Sequence, residues 1–398
     1  MKKERNQFWT LRYTLINVTY FMVFCWIHAY ASVFLLDKGF SNTMIGITLA
    51  LANILSVILQ PFIAGIIDKP GRFTNRNVSM ISTLLILIGS VILLSTDNNK
   101  VVIFLIFALI YMIQMIYQPV ITAMNFEYAQ AGCNIYYGLA RGLGSVGFAI
   151  ASFFTGKAIG SYGVDILMKL NIIILSAALI ALYFFKKPES AAVSEISEDN
   201  GDTPVAHNNV FDFIRTYPMF MLFVLGAVCF FFSHNAINDY IIQIITPLGG
   251  DEADMGRAIF LAAVLELPTM SFINKVMKKV SCSRLLIISG IAFMIKTFLM
   301  FIADNMITVY ISQAMQLFAY AVFIPVSAYY VNMVMEEYDQ VKGQAYITCS
   351  ITLGGVFSSL LCGRILDTMG PRFMLLVSLI VSIAGVIIAF IALRKDMV

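Results

Sequence analysis

A chain of 398 residues that is 60% hydrophobic and only 12% charged, with mean hydropathy +0.85, has too little polar surface for a water-soluble fold. The same composition excludes a disordered chain, a coiled coil, collagen and a secreted disulfide scaffold, and a net charge of +3 is too small to mark a nucleic-acid binder. What remains is a polytopic membrane protein.

The first twelve residues are polar and basic, with Lys2, Lys3, Arg5 and Arg12. The apolar stretch behind them, Tyr13 to Leu36, is too long for a signal-peptide core and ends without a small-residue cleavage site, so it reads as the first span. A spanning helix needs about 20 mostly apolar residues. Twelve such stretches follow in order: 12–36, 43–67, 78–96, 101–125, 137–160, 166–185, 217–244, 255–277, 284–303, 307–334, 343–366 and 371–393. Turn residues such as Asp37-Lys38-Gly39, Lys69-Pro70-Gly71 and Met369-Gly370-Pro371 separate them. Residues 188–212 are polar and acidic, with Pro188, Glu195, Glu198, Asp199 and Pro204, and read as a flexible cytoplasmic linker. The predicted fold is therefore an all-α membrane protein of twelve transmembrane helices. It forms two pseudo-symmetric six-helix bundles, 1–187 and 213–398.

Lys and Arg set the orientation. Lys2, Lys3, Arg5, Arg12, Lys69, Arg72, Arg76, Lys186, Lys187, Lys275, Lys278 and Lys279 fall on one side, outnumbering Lys38, Lys100, Lys157, Lys169 and Arg257 on the other. Both termini are expected in the cytoplasm of a cell (plasma) membrane protein. The halves also repeat at an offset of about 207 residues. Gly147-Phe148 answers Gly354-Gly355, Tyr162-Gly163 answers Met369-Gly370, Lys187 answers Arg394, and Pro61 answers Pro268. Two six-span repeats are the plan of transporters that bind substrate near the midplane between the halves.

The loop after the second span, Gly65-Ile-Ile-Asp68-Lys-Pro-Gly71-Arg72-Phe-Thr-Asn-Arg76, resembles the corresponding loop motif of the major facilitator superfamily, although Ala64 stands where that motif opens with Gly. The resemblance implies that Asp68, Gly71 and Arg72 latch one closed state. Span 5, Tyr137-Gly-Leu-Ala-Arg141-Gly-Leu-Gly-Ser-Val-Gly-Phe148, looks like the matching helix of the lactose-permease-like branch, the oligosaccharide:proton symporters with their nucleoside and phenylpropionate relatives. It implies that Arg141 binds substrate and Phe148 stacks on it. Leu265-Glu266-Leu267 resembles the branch's span-8 segment that carries a sugar- and proton-sensitive Glu. The pattern departs elsewhere. Ala123 replaces the span-4 carboxylate, with Glu127 the nearest acid. Lys296 replaces an Arg, and Gln316 and Ala319 replace the His and Glu of span 10.

An ionisable group at membrane depth is a functional hypothesis by default. The set is His28, Glu127, Arg141, His234, Asp239, Glu266 and Lys296. Arg141 needs either a substrate's oxygens or an ion pair with Glu127. Glu266 either binds a proton and a substrate hydroxyl in turn or pairs with Lys296. Lys296 pairs with Glu266 or touches substrate. Asp239, Glu127 and His28 are further proton-coupling candidates. Their plainer readings are a solvated mouth residue, an interfacial acid and a hydrogen-bonded structural His. Asp239 belongs to a polar cluster with His234, Asn235 and Asn238. Helical spacing puts Tyr111, Gln114, Gln118 and Asn125 on one face of span 4, and Gln313, Gln316 and Tyr320 on one face of span 10. Such amides line a path or glue helices together.

Gly142-Leu-Gly144-Ser-Val-Gly147 satisfies a dinucleotide pattern, but inside an apolar helix it reads as close packing. No catalytic constellation, metal-ligand spacing or cofactor motif is present in the sequence, so neither an enzyme nor a metal is expected. The expectation is a monomeric secondary transporter in a lipid bilayer, working with protons and a small solute and with no nucleic acid. The solute is expected to be a sugar, oligosaccharide or nucleoside taken up by alternating access. An exporter of amphipathic compounds and a non-transporting sensor with the same fold remain open.

Overall fold

The computed structural model describes residues 2–67, 73–96, 99–187 and 210–394, and every secondary-structure element among them is helical. α1 (Lys2–Phe24) runs into one π-helical turn at Cys25–Ala29, and α2 (Ala31–Asp37) resumes after a 51° bend. α3 (Asn42–Ile67), α4 (Asn75–Ser95), α5 (Lys100–Gln130), α6 (Tyr137–Tyr162) and α7 (Ile166–Phe184) follow. Then come the short α8 (Val210–Thr216), α9 (Pro218–Asp239), the short α10 (Ile241–Ile245), α11 (Glu252–Met277) and α12 (Cys282–Ile302). α13 (Met306–Ala314), α14 (Tyr320–Val334) and α15 (Gln340–Leu393) complete the chain.

Nine helical stretches among the described residues are long and apolar enough to cross a membrane, and the bent pair at the N-terminus makes a tenth. Gly370 (φ 81°, ψ 176°) divides the 54 residues of α15 into two spans. α11, 26 residues long but carrying Glu252, Asp254, Arg257, Glu266 and Lys275, supplies the twelfth. The six cysteines are all free.

The chain forms two compact units, Met1–Val193 with Gly250–Ala263, and Ser194–Gly249 with Val264–Val398. In the first, α6 lies against α1 through its small residues. A Cβ on Gly144 would sit 2.5 Å from the Phe21 ring, and one on Gly147 3.0 Å from Val18. The opening of α11 packs on the same helix, where a Cβ on Gly256 would meet the Ser152 carbonyl oxygen at 2.5 Å. In the second unit, α9 and α15 make the equivalent close approach, with Gly354 against the backbone of Phe231 and Phe232 and Gly226 against Gly385.

The repeat is written into local structure as well. Thr74 caps α4 and Ser281 caps α12, each side chain accepting from the backbone N–H three residues on. Asn99 caps α5 and Asn305 caps α13. Such a cap stabilises a helix by about 1 kcal/mol. Gly163 (φ 74°) ends α6 where Gly370 (φ 81°) ends its counterpart, a left-handed conformation that favours glycine. Pro61 and Pro268 both lie inside their helices.

Three of the spans read as single helices are broken. Span 1 holds the π turn, span 7 breaks at Tyr240 (φ −121°, ψ 25°), and span 10 breaks at a 3₁₀ turn, Met315–Leu317. Two of the breaks share one feature. The Tyr30 hydroxyl donates to the Ser152 carbonyl at 2.7 Å, and the Tyr240 hydroxyl donates to the Ser359 carbonyl at 2.8 Å. Each phenol pins the end of a helix to a neighbour far away in sequence. The predicted latch residues Asp68, Gly71 and Arg72 lie outside the described residues, as does the linker up to residue 209. The last residues of the predicted linker are helical, in α8.

Candidate functional site

Each unit gathers polar groups beside one of these breaks. In the first unit the π turn is held from one side. The Trp26 indole N–H donates to Thr155 Oγ1 at 2.7 Å, four residues before the Tyr30 anchor, and both partners stand on α6. Trp26 is thus a buried brace, 2% exposed. The wide turn turns His28 instead toward α5. Its ring stacks on Phe24 at 4.1 Å between centroids and leans on Tyr111 at 3.8 Å. Its Nε2 is buried with no partner among the described residues.

Arg141, from α6, lies with its guanidinium carbon 4.1 Å from the centre of the Phe21 ring and donates from Nη1 to Ser145 Oγ at 3.0 Å. Cation–π contact offsets part of the cost of a charge in apolar surroundings. Phe148, two turns on from Arg141, faces Phe24 at 6.3 Å. Arg141, Phe21, Phe24, Phe148 and His28 therefore form one cluster of a fixed cation, aromatic rings and an imidazole edge.

The other first-unit candidates are placed differently. Gln114 is 1% exposed; its Nε2 donates to the Tyr20 carbonyl at 3.2 Å, while the Tyr20 hydroxyl donates to the Gln114 carbonyl at 3.1 Å. This amide ties α1 to α5. Gln118, one turn further along α5, is half-buried. Glu127 accepts from Asn75 Nδ2 at 2.9 Å and lies 3.9 Å from Lys187 Nζ, so its oxygens join α4 and the end of α7 rather than meeting Arg141.

In the second unit the break in span 10 carries the chemistry. Beyond α13, the backbone around the 3₁₀ turn offers carbonyls to side-chain donors, and that of Ala319 also accepts from the Phe323 N–H at 3.0 Å. Hydroxyls from neighbouring helices satisfy them: Ser289 Oγ donates to the Ala319 carbonyl at 2.7 Å and Thr269 Oγ1 to the Leu317 carbonyl at 3.0 Å. Irregular backbone is tolerated at membrane depth only with such partners. Gln316 stands in that turn, 5% exposed. Its Oε1 accepts from Lys296 Nζ at 2.9 Å, and its Nε2 donates to Glu266 Oε1 at 2.8 Å. An amide has an acceptor for the ammonium on one atom and a donor for the carboxylate on another. The pairing expected between Glu266 and Lys296 thus runs through Gln316. Lys296 is 1% exposed, and the Ser312 hydroxyl fixes its backbone carbonyl at 2.7 Å. Gln313, one turn before Gln316, is 1% exposed with Nε2 unpartnered among the described residues.

Beside this chain of groups the polar cluster of α9 divides. Asp239 Oδ2 accepts from Ser359 Oγ at 3.3 Å, beside the Tyr240 anchor. His234 hydrogen-bonds Asn238 at 2.8 Å and lies flat on Tyr320, 5.5 Å between centroids and 16° between planes. The signal for this arrangement was present in the sequence. Phe24 and His28 precede Tyr30 by the same steps as His234 and Asn238 precede Tyr240, at an offset of about 210 residues. An alignment at about 207 runs three residues out of register here and misses it.

Known proteins share this architecture. The family model described as the MFS_1 like family matches residues 11–377. The uncharacterized transporter YwbF of Bacillus subtilis (strain 168) is 21% identical over 355 residues, which cover 88% of this chain and 84% of that protein. The crystal structure of the nucleoside transporter NupG matches with a TM-score of 0.78 at 12% identity, covering 98% of this chain and 99% of that one. A bacterial homologue of the human lysosomal transporter Spinster, inward-facing and unoccupied, matches with a TM-score of 0.67 at 13% identity, covering 99% and 98%. The chain belongs to the MFS_1 like family and is a multi-pass membrane transporter of the major facilitator type.

Proposed function

We propose that the protein couples proton movement to uptake of a small hydroxylated solute by alternating access, as a monomer in the plasma membrane with both termini cytoplasmic. The observation that carries this reading is the chain Lys296–Gln316–Glu266, buried at Lys296 and Gln316 and half-buried at Glu266. With Glu266 ionised, its charge is balanced by Lys296 through the amide. A proton on Glu266 removes that balance and turns an acceptor-only carboxylate into a donor for a solute hydroxyl. Proton and solute therefore bind to one connected set of groups. Arg141 offers its remaining guanidinium donors to solute oxygens, and Phe148 offers a ring face. Asp239, Glu127 and His28 are secondary proton candidates, and Gln118 and Gln313 contribute amides to the path. The loop carrying Asp68, Gly71 and Arg72 serves as the latch of one closed state.

Within this solute class, the likeness of fold to a nucleoside transporter and the rings around Arg141 support a nucleoside. The test is a set of proteoliposomes in weak buffer, given nucleosides, sugars and oligosaccharides in turn while external pH is recorded. Alkalinisation on addition of one of these solutes is expected. Uptake of such a solute without any pH change would remove the proton from the mechanism.

A further inference from the structure

His234 makes no hydrogen bond to the chain Lys296–Gln316–Glu266 described above, yet its ring is held on several sides. Asn238 Nδ2 lies 2.8 Å from His234 Nε2. An amide nitrogen only donates, so Nε2 accepts, and the neutral imidazole then carries its hydrogen on Nδ1. Nδ1 is buried and has no partner among the described residues, and the residue as a whole is 6% exposed. The ring has no freedom to search for one. Tyr320 covers a face, and Phe231 and Phe293 meet the ring edge-on at 6.2 and 5.5 Å.

A histidine that merely fills a core spends both nitrogens. This one holds a dry N–H without a partner among the described residues, at a cost to the empty protein that an arriving acceptor relieves. The surroundings sharpen what that acceptor is. Gln316 has both ends of its amide engaged, Lys296 is a donor, and Gln313 Nε2 is a second buried donor without a partner. Unspent capacity here is on the donor side.

We propose that His234 is a specificity-determining residue whose Nδ1–H binds a carbonyl oxygen or ring nitrogen on a planar heterocycle of the transported solute. A nucleobase fits; a plain sugar, whose oxygens are mostly hydroxyls and whose ring is not flat, does not use it. The assignment rests on the uptake reading above and narrows its solute class.

The test uses the full-length protein in lipid nanodiscs, with uridine, its analogues lacking the 2-carbonyl or the 4-carbonyl, and lactose, binding being measured by calorimetry. The wild type is expected to prefer uridine to one of the two analogues by about tenfold, the worth of one neutral hydrogen bond. His234→Phe keeps a flat ring on Tyr320 and is expected to bind uridine and that analogue alike. Asn238→Leu, which frees the tautomer, is expected to narrow the preference without abolishing it. Because His28, His207 and His234 are the only histidines, ¹⁵N-histidine spectra provide a reading without mutation, and uridine should shift the Nδ1–H signal of His234. A preference that survives His234→Phe intact, or a wild type that binds lactose and no nucleoside, overturns the assignment while leaving the uptake reading standing. A wild type that binds nucleosides without moving protons overturns the coupling and leaves His234 in place.

Discussion

The two units share a skeleton and differ in chemistry. Both break the first span of their repeat, at Tyr30 and at Tyr240, and both pin the break through a phenol to a backbone carbonyl, Ser152 in one and Ser359 in the other. The partners sit at the repeat offset. The groups beside the break diverge: a guanidinium among rings in the first unit, and an acid, an amide and an ammonium in series in the second. A duplicated scaffold therefore fixes where polar groups stand, and substitution decides what each half does. One half holds a guanidinium over a ring; the other holds three polar groups hydrogen-bonded in series.

Loss of proton chemistry breaks that contrast most severely. Glu266→Gln is expected to abolish proton-driven accumulation in proteoliposomes while solute exchange between equilibrated compartments continues. Normal accumulation would return Glu266 to a structural role. Next comes the first unit's fixed charge. Arg141→Lys replaces a planar fork with a point charge, and affinity for the solute is expected to fall at least about tenfold, about 1.4 kcal/mol, in equilibrium binding. Unchanged affinity would make the contact with Phe21 and Ser145 the whole of its work.

The shared skeleton is tested by Tyr30→Phe and Tyr240→Phe. Each removes one buried hydroxyl and its hydrogen bond to a carbonyl inside a neighbouring helix, so each is expected to lower thermal stability in detergent by about 1 kcal/mol, and by similar amounts. A large effect from one and none from the other would show that the repeat is not mechanically equivalent.

The smallest effect lies at a loop of the first unit, where Lys38 Nζ reaches Asp165 at 2.7 Å and Asp37 at 3.4 Å. Burial alone would lower the Lys38 ammonium, but the hydrogen bond and charge of Asp165, with Asp37, outweigh it and raise the pKa above its ordinary value. A raised folded value means that this stabilisation is complete below the unfolded value of about 10.4 and is lost as pH climbs through the folded one. Asp165 is 48% exposed, so solvent screens the pair and the expected loss is under about 1 kcal/mol. Melting at pH 8 and pH 11, with and without Lys38→Met, measures it.

The spans were legible because apolar length and turn residues are local properties. Gly163 and Gly370 stop helices wherever the rest of the chain goes. The breaks were not legible, because the groups that pin them lie 122 and 119 residues away along the chain and hydropathy is blind to a phenol's partner. The site was half legible. Charge at membrane depth singled out Glu266 and Lys296, and the amide stripe of span 10 singled out Gln316, but the order in which they touch depends on where a 3₁₀ turn sets down one amide. Glu127 shows the reverse. Proximity in sequence made it the natural counter-ion of Arg141, whereas Asn75 and Lys187 reach it first through tertiary packing.

The joint at Gly370 bears on how the protein is made. Spans 11 and 12 are two helices joined at a single non-helical residue, with no loop between them. The two spans leave the ribosome with a single residue between them, and any residue other than glycine there has to adopt a φ of 81°, which L side chains disfavour.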